Sequence, residues 1–223
     1  MCYISQRPTG QSGRMKGAVD TVRSPERRTR ERILDAALSV FSRKGYHSAR
    51  VDEIVEESST SKGAVYFHFP SKERIFLALV DEFAGLLENR LKEAITAQAD
   101  GVRGVDAALR VGLSTFGQYR SLAKIFLVQA VGLGAGFEEK RLQILDRLAG
   151  VIREHLDQAV GEGSIPPIDT RITASAWIGA INEVVIRWVQ SGSPDPQEIQ
   201  SSLRVLLLRS IGVSEQRIAE LGT

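Results

Sequence analysis

Cysteine is almost missing: the 223-residue chain has one, Cys2. That excludes a disulfide framework or a cysteine-based zinc site within one chain, and it fits a reducing cytoplasm. Histidine is scarce too. His47, His68 and His155 stand in no metal-ligand spacing with one another or with an acid cluster, so no metal is expected. There is no G-x-S-x-G, phosphate loop or dinucleotide fingerprint, so neither an enzyme nor a cofactor is expected. Gly132-Leu133-Gly134-Ala135-Gly136 is glycine-rich but follows no strand, and it reads as a helix break. No apolar run reaches the about 18 residues of a membrane span, and the first 20 residues lack the apolar core of a secretory signal. Strand-like alternation and internal repeats are lacking as well. What remains is an all-α chain.

Hydrophobic residues make up 43% of the chain, enough to bury a core. The net charge of +2 is unevenly placed. Residues 1–74 hold 14 Lys and Arg against 9 Asp and Glu, and residues 75–223 hold 15 against 18. A basic N-terminal part is what a phosphate-binding domain requires, although such a balance is common in any solvated domain.

The stretch VDEIVEESSTSKGAVYFHF, Val51 to Phe69, reads as two short helices joined by a serine-rich turn. Val51, Ile54 and Val55 share one face, and Asp52 and Glu53 suit a first turn. Ser58, Ser59 and Thr60 break that helix. Ser61 is the N-cap of the next, which opens Lys62-Gly63-Ala64, one cation and two residues with little side chain. Val65 and Phe69 point inward, leaving Tyr66 and His68 outside. Small residues let the backbone approach a partner, free N–H groups suit an anion, and Lys62, Tyr66, His68 and Lys72 surround the site with donors. This is the requirement of a helix-turn-helix in a DNA major groove; a plain helical hairpin is the bland alternative. Upstream, Ser24-Pro25-Glu26 opens a helix striped by Ile33, Leu34, Ala37, Val40 and Phe41 and ended by Gly45. Residues 1–23, with Arg7, Arg14, Lys16 and Arg23, read as a flexible arm.

Residues from Arg28 to about Glu88 resemble the DNA-binding domain of TetR-family regulators. The resemblance rests on RILDAALSVFSRKGY, on VDEIVEE, and above all on SKGAVYFHFPSKERIF. It implies DNA contacts from Arg50, Ser61, Lys62, Gly63, Ala64, Tyr66, His68 and Lys72. Three places depart from the family pattern: Ala49-Arg50 where hydroxyl residues are usual, Ser58-Ser59 where Ala-Gly is usual, and Thr60 in place of an aliphatic residue. At Ser59 we expect negative φ, with the three hydroxyls holding the turn through side-chain hydrogen bonds.

Pro70 stops the recognition helix and Ser71 caps a long one, from about Lys72 to Ala97. Further helices are expected over about 105–119, 122–131, 138–160, 169–190 and 196–211, with a loop at Asp100 to Gly104. That makes about nine helices: a helix-turn-helix domain over 24–74 and a larger helical domain over 75–223. Polar residues inside apolar helices, such as Gln118, Gln129 and Asn182, suit a small-molecule pocket. The resemblance implies such an effector pocket, with Phe83, Leu87, Phe116, Tyr119, Phe126 and Gln129 as candidates. The helix containing Trp177, Ile181, Val185 and Trp188 is apolar nearly all round, more than one core face requires. The resemblance implies that it and the Leu203–Leu207 helix pair with their copies in a homodimer. The function expected is a cytoplasmic transcriptional regulator, a repressor released from palindromic double-stranded operator DNA by a small hydrophobic ligand. An architectural DNA-binding factor without a switch is the alternative.

Overall fold

The computed structural model describes residues 25–129 and 133–221. The arm expected over residues 1–23, the Ser24 cap, and the end of the helix expected to reach Val131 lie outside them, as does Gly132. Among the described residues there are ten α-helices and no strand.

Helix α1 (Pro25–Ser48) buries Ile33, Leu34, Ala37, Val40 and Phe41 and breaks at Gly45, where φ is 76°. Only a residue without Cβ adopts that value freely. Helices α2 (Val51–Ser58) and α3 (Lys62–His68) lie across it. Helix α4 (Lys72–Thr96) is capped by Ser71, whose hydroxyl accepts from the Arg74 N–H at 3.2 Å. Its 25 residues run about 37 Å at 1.5 Å per residue, so its first turns close the core under α1, α2 and α3 and its later turns wall the second core.

In that second core, α5 (Gly101–Gln118) packs against α4, α7 (Ala135–Gly161) and α9 (Pro196–Ser210), while α8 (Thr170–Ser191) lies along α7. The expected loop at Asp100 to Gly104 is instead the first turn of α5, capped by the Asp100 carboxylate at 2.8 Å from the Arg103 N–H. The glycines there answer to packing rather than to chain reversal. A Cβ on Gly101 would lie 2.5 Å from the Ala159 nitrogen, and one on Gly104 would lie 2.9 Å from the His155 ring. Helix α6 (Arg120–Lys124) passes into a π-helical turn, Ile125–Gln129. A short α10 (Glu215–Leu221), unforeseen in the sequence, closes the end of the bundle.

Candidate DNA-binding surface and effector cavity

The helix-turn-helix is held by contacts from three directions. Ser61 caps α3 as expected, its Oγ accepting from the Ala64 N–H at 3.1 Å. Ser59, expected at negative φ, instead lies in the left-handed region at φ 51°, ψ 43°. It occupies glycine's conformation because the helix ends in a 6→1-type closure: the Ser59 N–H donates to Glu56 O and the Thr60 N–H to Val55 O. The hydroxyls do bond, Ser58 Oγ to Val55 O at 3.1 Å and to Thr60 Oγ1 at 2.7 Å, but around the strained residue rather than in place of the strain. Arg32 of α1 then donates to Ser58 O and Ser59 O at 2.6 and 2.8 Å, satisfying carbonyls that a helix end leaves open.

Helix α2 is acidic, and each of three acids has a cation against it. Asp52 pairs with Lys62 at 2.8 Å, Glu53 with Lys44 at 2.5 Å and Glu57 with Arg43 at 2.6 Å. All three carboxyls are held below the usual range, by the hydrogen bonds from Lys62, Lys44 and Arg43 first of all. Glu53 also accepts the Arg50 N–H at 3.1 Å, the N3-to-N-cap half of a capping box, while the Glu53 N–H goes to the Arg50 carbonyl at 3.2 Å. Three of the four acids of α2 are thereby neutralised by cations, Glu56 being the fourth.

On α3 the buried side chain is Val65, with Phe69 beneath the helix end. The outward face carries Lys62, Gly63, Tyr66 at 43% exposure and Phe67 at 76%. Arg50 is exposed at the head of α2, while Ala64 and His68 are half-buried.

Deeper in the molecule, α4, α5, α7, α8 and the π-turn enclose a cavity of about 40 Å³, room for a few water-sized molecules. Its walls are Leu87 and Leu91, then Leu109, Gly112 and Phe116, then Leu127, Leu145 and Leu148, and Ile178, Ile181 and Asn182. Asn182 is the one polar side chain among the lining residues. Phe83 stacks beside this wall, 5.6 Å from the Phe116 ring and 6.0 Å from the Phe126 ring.

The match to a family model decides what this arrangement belongs to: residues 33–79 fit the model described as bacterial regulatory proteins, tetR family. Over residues 33–79 the chain carries a TetR-family domain. Relatives matched over most of the chain are regulators by name. The fatty acid metabolism regulator protein of Bacillus subtilis is 25% identical over 80% of this chain and 93% of its own. The HTH-type transcriptional regulator SrpR of Pseudomonas putida is 27% identical over 78% and 82%. The fold matches that of the regulator FadR of Bacillus subtilis in complex with stearoyl-CoA at TM-score 0.72, with 22% identity over 82% of this chain and 98% of that one.

Several expected site residues take other places. Lys72, read as a phosphate donor, turns back and donates to Tyr46 O, His47 O and Ala49 O at 2.8, 3.3 and 3.0 Å. A cation there stabilises the chain end of α1, and its ammonium lies 4.5 Å over the Tyr46 ring. Of the six effector candidates, Leu87 and Phe116 line the cavity; Phe83 and Phe126 only back it. The Tyr119 hydroxyl accepts from Arg90 at 3.1 Å, and the Gln129 amide donates to Phe41 O at 3.1 Å. Neither lines the cavity. The six expected interface residues, Trp177, Ile181, Val185, Trp188, Leu203 and Leu207, are all buried in the protomer's own core. Trp177 donates to Ser210 Oγ at 3.1 Å, Arg120 lies over Trp188, and Ile181 is a cavity wall. Their spacing marks one inward stripe; the open faces carry Ile172, Ala176 and Gly179 on α8 and Leu206 on α9. Phe67 was missed, though its signal was there: with Val65 and Phe69 inward at i and i+4, position 67 falls on the opposite side.

Proposed function

We propose that the chain is a homodimeric repressor that leaves its operator when a long, mainly hydrocarbon effector, such as a fatty acyl thioester, enters the cavity. The observation that carries this is the composition of the walls: hydrocarbon from five elements, with Asn182 as the polar exception. Apolar walls with a single polar group favour an apolar chain. The likeness to a fatty acid metabolism regulator, and to a FadR whose structure holds stearoyl-CoA, supports the same class.

The cavity is far smaller than a stearoyl chain. Entry must therefore part the helices, and a ligand that fits only the parted form shifts the equilibrium toward it. In a dimer this alters the separation of the two recognition helices, which must match half-sites about 34–36 Å apart. Gly179 supports the dimer. A glycine inside a helix costs about 1 kcal/mol relative to alanine, yet nothing in the protomer lies within 4 Å of where its Cβ would stand. That open, side-chain-free position leaves room for a second copy to approach closely.

The test uses a duplex selected by the protein from random sequences, and stearoyl-CoA as the probe. Stearoyl-CoA should bind and lower duplex affinity by about 10-fold or more, the scale of a two-site coupling. Binding of the lipid with no change in duplex affinity would remove the switch and leave an architectural factor.

A further inference from the structure

The π-turn Ile125–Gln129 touches both halves of the molecule. Leu127 forms part of the cavity wall. Two residues on, Gln129 Nε2 donates to Phe41 O of α1 at 3.1 Å. Phe41 lies four residues before the break at Gly45. Its ring packs on Tyr46 and Phe76, at 5.9 and 5.4 Å, in the core that supports the helix-turn-helix.

This junction is only half satisfied. Gln129 Oε1 is buried without a hydrogen-bond partner among the described residues. Buried polar atoms left so raise the free energy of the arrangement, so a competing arrangement need not be much better to displace it. A π-turn supplies one. It holds one residue more per turn than an α-helix, and slipping into α-register rotates the downstream residues by about 100°. Such a slip moves Leu127 in the cavity wall and carries Gln129 away from Phe41 together.

Resting on the effector reading above, we propose that the π-turn is the two-state element that carries cavity filling to the DNA-binding domain, with Gln129 as the positioning residue acting on α1 through Phe41. Leu127 registers occupancy; loss of the Gln129 bond frees the end of α1, and with it the platform of α2 and α3.

The test needs no ligand. Gly112→Leu fills the cavity from α5, since a Cβ there meets Leu91 Cδ2 at an ordinary 3.6 Å; Gly112→Ala is the smaller fill should the leucine variant not fold. Affinity for the selected duplex is measured for wild type, the Gly112 variant, Gln129→Met and the double variant, with melting curves to confirm folding. Filling should weaken binding about 10-fold in the wild-type background and less than about 2-fold with Gln129→Met, a coupled cycle. Equal losses in both backgrounds would overturn the proposal and point to another route, such as Phe137 of α7, whose ring lies 5.5 Å from Phe76. If stearoyl-CoA fails to bind the wild type, the effector reading falls, while the cycle still decides whether the π-turn couples the two halves.

Discussion

At the scale of single residues, Ser59 is the sharpest departure from expectation. It holds φ 51° with a Cβ, a conformation that costs an L-residue roughly 1 kcal/mol. Ser59→Gly should therefore stabilise the protein, and thermal unfolding should shift up by a few degrees, the size expected for about 1 kcal/mol. No shift, or a fall, would show that the hydroxyls around the turn compensate for the strain fully. Lys72 shows the limit of reading a residue by its neighbours in sequence. Its place beside the recognition helix suggested phosphate, but the open carbonyls of residues 46 to 49 are nearer. A carbonyl cluster formed by a broken helix cannot be seen in a linear pattern. Ser61, by contrast, was legible, because an N-cap bond is made within four residues.

At the scale of elements, helix type and order were legible wherever a stripe repeats, as in α1, α4 and α7. What misled was glycine read as punctuation. Gly101 and Gly104 lie inside α5 because α7 crosses there, and a crossing is a property of two helices. The inward stripe of α8 was seen but given to the wrong neighbour, since periodicity tells that a face is buried and not by what. Helix α2 makes a prediction of its own. Asp52, Glu53 and Glu57 titrate below their usual values, so the stability they lend is complete above the unfolded carboxyl range and is lost as pH falls through their lower folded values. Melting temperature, followed by circular dichroism, should fall as pH drops below about 4.3. Glu57→Gln should show a shallower fall, as should added salt, which screens exposed pairs. An unchanged slope in the variant would deny the Arg43 pair this role.

At the scale of the whole molecule, the distinction between inner and outer faces of α8 separates stability from assembly. Gly179→Arg places a charge on the open face, where no protomer atom is near; light scattering should find a folded monomer. Trp177→Ala removes a side chain that is 3% exposed and should cost about 3–5 kcal/mol of protomer stability. A dimeric Gly179→Arg protein would move the interface elsewhere.

The hold of Arg32 on the carbonyls of Ser58 and Ser59 also bears on the order in which the chain folds. With no glycine to favour the left-handed step, residues 51–69 have little local reason to turn, and the group that completes the turn arrives from 26 residues upstream. Helix α1 must be formed before the reading head can lock. A peptide of α2 and α3 alone should therefore remain largely unfolded, and Arg32→Met should slow folding with little change in the unfolding rate, the mark of a contact already present in the transition state.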